Sequence, residues 1–165
     1  MAKNNWGEAR VSVSVLFVCL GNICRSPLAE GALRAAAERR EIEIEIDSAG
    51  TGDWHVGQRP DGRAILVADG KGVDISGQSA RQIAPEDFAR FDHIVAMERG
   101  VLERLRQAVP ADARAELSLF LDHVPGRAGE DVADPYYGDA DGFENTWRDV
   151  AAGAEALIEK IAGRD

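Results

Sequence analysis

The chain has 165 residues, 19 basic and 29 acidic side chains, a formal net charge of −10 and a sequence pI near 4.8. That length is one domain's worth and can bury a core without disulfides or metals, while 45% hydrophobic and 29% charged residues is globular composition. The acid excess and three scattered lysines (Lys3, Lys71 and Lys160) argue against a nucleic-acid binder and against a polybasic membrane contact.

Residues 1–11 read as a flexible tail ahead of one domain over residues 12–165. The first residues lack the apolar stretch and cleavage site of an export signal, and the longest apolar run, Val15 to Leu20, is too short to span a bilayer. A cytoplasmic protein is expected, in which Cys19 and Cys24 serve chemistry rather than a structural disulfide.

Val13 to Cys19 is a nearly continuous, β-branched apolar run, the pattern of a strand buried on both faces. Ser26 and Pro27 then read as an N-cap and first helical residue, opening a helix to about Arg40. Ile42, Ile44 and Ile46 alternate with acids up to Ser48, which predicts a second strand. A glycine-rich loop leads to a helix from about Asp61 to Lys71. Further helices are expected over Pro85 to Phe91 and Glu98 to Ala108, and strands over His93 to Met97 and Leu117 to Leu121. The stretch Asp122 to Asp139 is too long for a routine connection, and loops of that length are usually functional or disordered. A last helix, about Phe143 to Ile161, carries Trp147 on an apolar stripe, as a core residue. Strands alternating with helices imply an α/β sandwich around a parallel sheet, with ligands bound outside the carboxyl ends of the strands.

The segment Cys19-Leu20-Gly21-Asn22-Ile23-Cys24-Arg25-Ser26 occupies such an end. A loop entering a helix there gathers backbone N–H groups and the positive helix end into an anion cradle. Gly21 permits close approach, Asn22 tolerates a left-handed backbone, and the planar fork of Arg25 can hold two phosphate oxygens. The same field favours the thiolate of Cys19, which at the base of a phosphate cradle is a nucleophile aimed at phosphorus.

The run VLFVCLGNICRSPLAE resembles the C-x5-R-[ST] signature of the low-molecular-weight protein tyrosine phosphatases. The likeness continues through IDSAGT, ARQI, FARFDHIVAM and Asp134-Pro-Tyr-Tyr-Gly138, and spans about residues 13–161. It implies a three-layer sandwich with a central four-stranded parallel sheet, flavodoxin-like in form. It implies a phosphotyrosine hydrolase in which Cys19 forms a cysteinyl-phosphate and Arg25 binds the phosphoryl group. Asp134 is then the general acid and base, and Ser26 donates its hydroxyl to the thiolate. Leu20, Gly21, Asn22, Ile23 and Cys24 complete the phosphate loop, with Ser48 and Gln78 as its support. Trp54, Tyr136 and Tyr137 are expected to line a slot for an aromatic ring. Cys24 reads either as a small packed hydrophobe or as a trap for oxidised Cys19 in a reversible disulfide, and the resemblance favours the second. No metal or cofactor is called for, because Arg25 and the loop dipoles supply the charge. The expected partners are tyrosine-phosphorylated proteins as substrates and phosphate as product and inhibitor, the enzyme acting as a monomer.

Two departures from the family pattern stand out. Gln78 replaces a common His in the network bracing Asn22, and Met97 is followed by Glu98 rather than Asp, with Gly100 where Asn is common. His93 and His123 are expected to be structural and His55 a surface residue near the rim. An arsenate reductase on this fold needs further cysteines, which this chain lacks. Against a protein arginine phosphatase stand Ile23 in the loop and the pair Tyr136-Tyr137. The presence of both Cys19 and Asp134 argues against a non-catalytic phosphate-binding module.

Overall fold

A computed structural model describes residues 12–163, so the expected tail over residues 1–11 lies outside the described residues. Strand β1 (Val13–Cys19) is followed by helix α1 (Arg25–Arg39) and strand β2 (Ile44–Gly50). Helices α2 (Gly62–Asp69) and α3 (Asp87–Arg90) precede β3 (His93–Ala96), α4 (Arg99–Ala108) and β4 (Glu116–Leu119). A 3₁₀ turn over Phe120–His123 and the long helix α5 (Ala140–Ala162) complete the order.

The four strands pair in parallel in the order β2-β1-β3-β4, with β1 between β2 and β3. Alternation along β1 sorts its side chains between two cores. Val15 and Phe17 face a core shared with Leu28, Leu33, Leu157 and Ile158 of α1 and α5. Leu16 and Val18 face one shared with Phe88 of α3 and Val101 and Leu105 of α4. Both faces are covered, which explains why β1, Ser14 apart, reads as a continuous apolar run. Each fully buried Leu or Phe contributes about 1.5–3 kcal/mol of transfer free energy.

Chain order leaves β1 toward β2 on one side and reaches β3 on the other, so the carboxyl end of β1 is the topological switch point where such sheets bind ligands. The expected sandwich and its four-stranded sheet are borne out. Among the described residues, no helix is long and apolar enough to cross a membrane.

Several boundaries differ from expectation. Arg25 already begins α1, Cys24 holds the N-cap position without a side-chain cap bond, and Pro27 is the third helical residue. Ser26 therefore does not cap; its hydroxyl is committed to Cys19. Strand β2 runs two residues later than the Ile42-to-Ser48 pattern suggests. The N–H of Ile42 is used to close α1 on the Ala37 carbonyl (2.9 Å), and Ser48, Ala49 and Gly50 continue the pairing with Phe17, Val18 and Cys19. Strand β4 ends at Leu119 because Phe120 and Leu121 turn into the 3₁₀ segment. Trp147 is half-buried against the larger core.

Candidate active site

The loop of residues 20–24 hangs between β1 and α1. Cys19 ends β1 with 3% of its surface exposed. Its Sγ lies 3.0 Å from the Ser26 hydroxyl and accepts the Asn22 N–H at 3.2 Å. Asn22 adopts φ 59°, the left-handed turn that brings its N–H back onto the sulfur.

Donor and acceptor roles around Asn22 follow from its neighbours. The Arg81 N–H donates to Asn22 Oδ1 at 3.0 Å, which fixes the amide orientation. Asn22 Nδ2 then donates to Ser26 Oγ (2.8 Å) and Ser48 Oγ (3.0 Å). Ser48 donates its hydroxyl hydrogen to Glu30 Oε1 at 2.8 Å, and Ser26, accepting from Asn22, has its own hydrogen to point at Cys19. The Cys19 sulfur thus faces two donors and the amino end of α1.

Arg25 is buried, with 2% of its side chain exposed. Its Nη1 donates to Glu98 Oε2 at 2.6 Å and to the Val132 carbonyl at 3.1 Å. Nη2 reaches Asp134 Oδ2 at 3.4 Å. Burial works against the charge on Arg25, but Cys19, Glu98 and Asp134 together outweigh it and strengthen its hold on the proton. Cys24 has the opposite fate. Burial, reinforced by the charges of Asp61, Cys19 and Asp134, pushes its thiol well above the ordinary range, so it stays protonated at neutral pH. Both cysteines are free.

Above the loop opens a cavity of about 330 Å³ with Cys19, Arg25 and Asp134 on its wall. Trp54, Tyr136 and Tyr137 line it, and Tyr137 is 94% exposed at the rim. Gly52 makes room for Trp54 to fold back, since a Cβ there would sit 1.8 Å from the indole. Gly50 lets β2 run against the loop, where a Cβ would meet the Leu20 carbonyl at 2.9 Å.

The long connection ahead of α5 is anchored. Val132 N–H donates to the Met97 carbonyl at 2.8 Å, and Asp134 Oδ1 accepts the Tyr136 N–H at 3.1 Å.

The family model for low molecular weight phosphotyrosine protein phosphatases matches residues 14–164. The chain belongs to that family. A low molecular weight protein-tyrosine-phosphatase of Streptomyces coelicolor is 42% identical over 161 residues, covering 91% of this chain and 96% of its own. The corresponding phosphatase of Schizosaccharomyces pombe is 39% identical over 154 residues, 92% of this chain and 98% of its own. The crystal structure of YfkJ from Bacillus subtilis superposes with a TM-score of 0.87 at 36% identity, over 94% of this chain and 98% of that one. The family and enzyme class expected from the phosphate-loop motif are those found.

Within this phosphatase fold, Cys19, Arg25, Ser26, Asn22, Ser48 and Asp134 come together as one connected site. Gln78 stands apart from the Asn22 network. Its Nε2 donates to the Pro27 carbonyl at 3.2 Å, steadying the first turn of α1, and its Oε1 is buried without a partner. His55, expected at the surface, packs on the loop with its ring 3.0 Å from the Cβ position of Gly21 and lines the cavity. His93 is buried, and His123 shares a bond with Ser118 Oγ at 2.9 Å.

Sequence reasoning missed Glu30 and Arg81, which hold the two ends of the Asn22 network. Glu30 carried a signal: it lies one turn beyond Ser26 on α1, an acid in an otherwise apolar, small-residue stretch. Glu98 appeared only as a departure from the pattern, and the structure makes it the partner of Arg25.

Proposed function

We propose that the enzyme hydrolyses phosphotyrosine in proteins, and small aryl phosphates, through a cysteinyl-phosphate intermediate. The observation that carries this reading is the Cys19 sulfur, held by the Ser26 hydroxyl and the Asn22 N–H at the base of a cavity walled by Arg25 and Asp134.

In the first step Cys19 Sγ attacks phosphorus in line. A sulfur–phosphorus bond forms, the bond to the phenolic oxygen breaks, and its electron pair leaves with that oxygen. Protonated Asp134 gives its proton to the departing phenolate, while Arg25 and the loop N–H groups hold the equatorial oxygens. In the second step ionised Asp134 takes a proton from water, the water oxygen attacks phosphorus, and the thiolate leaves, its charge met by Ser26 and Asn22. Phosphate is the product and, filling the same cradle, a competitive inhibitor. The rings of Trp54, Tyr136 and Tyr137 suit the tyrosine ring.

Cys24, as a raised-pKa thiol, is a poor attacker of an oxidised Cys19 without help from a base, so capture in a disulfide should quicken as pH rises.

Cys19→Ser is expected to abolish aryl phosphate hydrolysis, and Asp134→Ala to slow turnover by roughly 10²–10⁴. Retention of turnover by Cys19→Ser would overturn the covalent mechanism. Undiminished rates in excess chelator are expected as well, since Arg25 and the amides carry the phosphate charge. Paired assays on phosphotyrosyl and phosphoarginyl peptides separate the proposed substrate from its nearest rival, with hydrolysis of the tyrosyl peptide alone expected.

A further inference from the structure

Arg63, on the first turn of α2, lies outside the cavity lining yet joins the two halves of the site. Asp61 caps α2 by accepting the Arg63 N–H at 2.9 Å. Its backbone N–H donates to the carbonyl of Ile23, a phosphate-loop residue, at 2.8 Å. The Asp61 carboxylate grips the Arg63 guanidinium with both oxygens, Oδ1 to Nε at 3.0 Å and Oδ2 to Nη2 at 2.9 Å. The same Nη2 donates to the Tyr136 carbonyl at 3.0 Å. Tyr136 N–H in turn donates to Asp134 Oδ1.

An unbroken chain of bonds therefore runs from the phosphate loop through Asp61 and Arg63 to the carboxyl of Asp134. The guanidinium also lies 4.6 Å from the Phe143 ring centroid and 5.6 Å from that of Tyr136, which fixes its plane against the start of α5. A bidentate acceptor on one edge and a carbonyl at the other suit the rigid fork of arginine.

We propose that Arg63 is a positioning residue for the general acid. It sets the distance between Asp134 and the phosphate loop by holding the Tyr136 carbonyl, and so determines how well the proton is aimed at the leaving oxygen. This inference rests on the reading of Asp134 as the proton donor. Arg63 touches neither the phosphoryl group nor the nucleophile. Its loss is felt in proportion to how much the leaving group needs the proton: strongly for a phenolate, weakly for a nitrophenolate, which departs as a stable anion.

The test compares kcat/KM for phenyl phosphate and nitrophenyl phosphate in the parent, Arg63→Ala, Asp134→Asn and the double variant. Arg63→Ala is expected to widen the nitrophenyl-to-phenyl ratio about tenfold while leaving inhibition by inorganic phosphate within twofold of the parent. In the Asp134→Asn background the same change is expected to add less than a twofold further loss, because residues acting through one another are not additive. An unchanged ratio in Arg63→Ala, a parallel weakening of phosphate inhibition, or a multiplicative loss in the double variant would overturn the proposal. If Asp134→Asn alone leaves phenyl phosphate turnover intact, the acid itself is wrongly assigned, and that single arm reveals it.

Discussion

Glu98, where the family pattern has an aspartate, sets its carboxylate against Arg25 Nη1. The two partners are unequally exposed, Arg25 at 2% and Glu98 at 31%, so the pair is worth less than a fully buried one. Truncation would leave a buried guanidinium with only the Val132 carbonyl and Asp134, and the latter would draw it toward the acid. Glu98→Ala is expected to lower stability by about 1–3 kcal/mol, read by thermal denaturation. On the proposed mechanism it should also lower kcat/KM on an aryl phosphate by about tenfold to a hundredfold, since small misplacements of a phosphate-holding arginine are costly. Unaltered kcat/KM would show that Val132 and Asp134 suffice to aim Arg25. At this scale the sequence was most legible where residue types are scarce: two cysteines, one Arg six positions after the first, one Asp-Pro-Tyr-Tyr. It was least legible where a common residue acts through a long-range bond. Arg81 and Arg63 reach partners 59 and 73 positions away, and nothing local marks them out among the other arginines, while Glu30, 18 positions from its partner, has only its place in a small-residue stretch to mark it.

The helices and strands follow the order the sequence predicts, and the shifted boundaries are informative. The loop of residues 20–24 sits where β1 and α1 meet, and both are announced by pattern, one by an apolar run and one by the Ser-Pro step. The start of β2 was misjudged because Ile42 obeys two rules at once. It continues an alternating pattern, but its N–H closes α1 on the Ala37 carbonyl, while the Glu41 N–H bonds the Glu38 carbonyl at 3.2 Å. This is a Schellman-type helix end whose left-handed residue is Glu41, at φ 54°. A glutamate there bears a steric cost of roughly 1–2 kcal/mol that glycine avoids, partly offset by the greater freedom glycine has when unfolded. Glu41→Gly is therefore expected to raise stability by about 0.5–1 kcal/mol in urea denaturation, with activity unchanged. A loss of stability would mean that the helix end relaxes at no cost.

Charge sets the behaviour of the molecule as a whole. With a net charge of −10, the folded chain repels itself at pH 7, and the repulsion fades as pH approaches 4.8. Glu30 acts in the same sense. Burial raises its affinity for a proton above the ordinary value of 4.5, despite the bonds from Ser48 and Arg34. The folded state then binds more protons than the unfolded one above pH 4.5, and stability grows as pH falls through that window. Asp61 and Asp74 work the other way. Hydrogen bonds from Arg63 and Ser76 respectively depress them below 3.8, so their contribution is present above that pH and lost beneath it. The melting temperature is expected to rise as pH falls from 7 toward 5 and to drop below about 3.8. A Glu30→Gln variant should show a shallower rise, and an equal rise would leave net charge as the sole cause.

The left-handed turn at Asn22, with its amide held by Arg81, Ser26 and Ser48, has one more consequence. The turn and its bonds are assembled when the chain folds, so on the proposed reading of the site an oxyanion finds its donors already aligned, and the unfolded chain has nothing comparable to offer it. Occupancy and folding are thereby linked: at a hundredfold excess over its dissociation constant, a bound oxyanion adds about 2.7 kcal/mol to the native state. On the proposed mechanism, the phosphate the enzyme releases is also a ligand that keeps it folded.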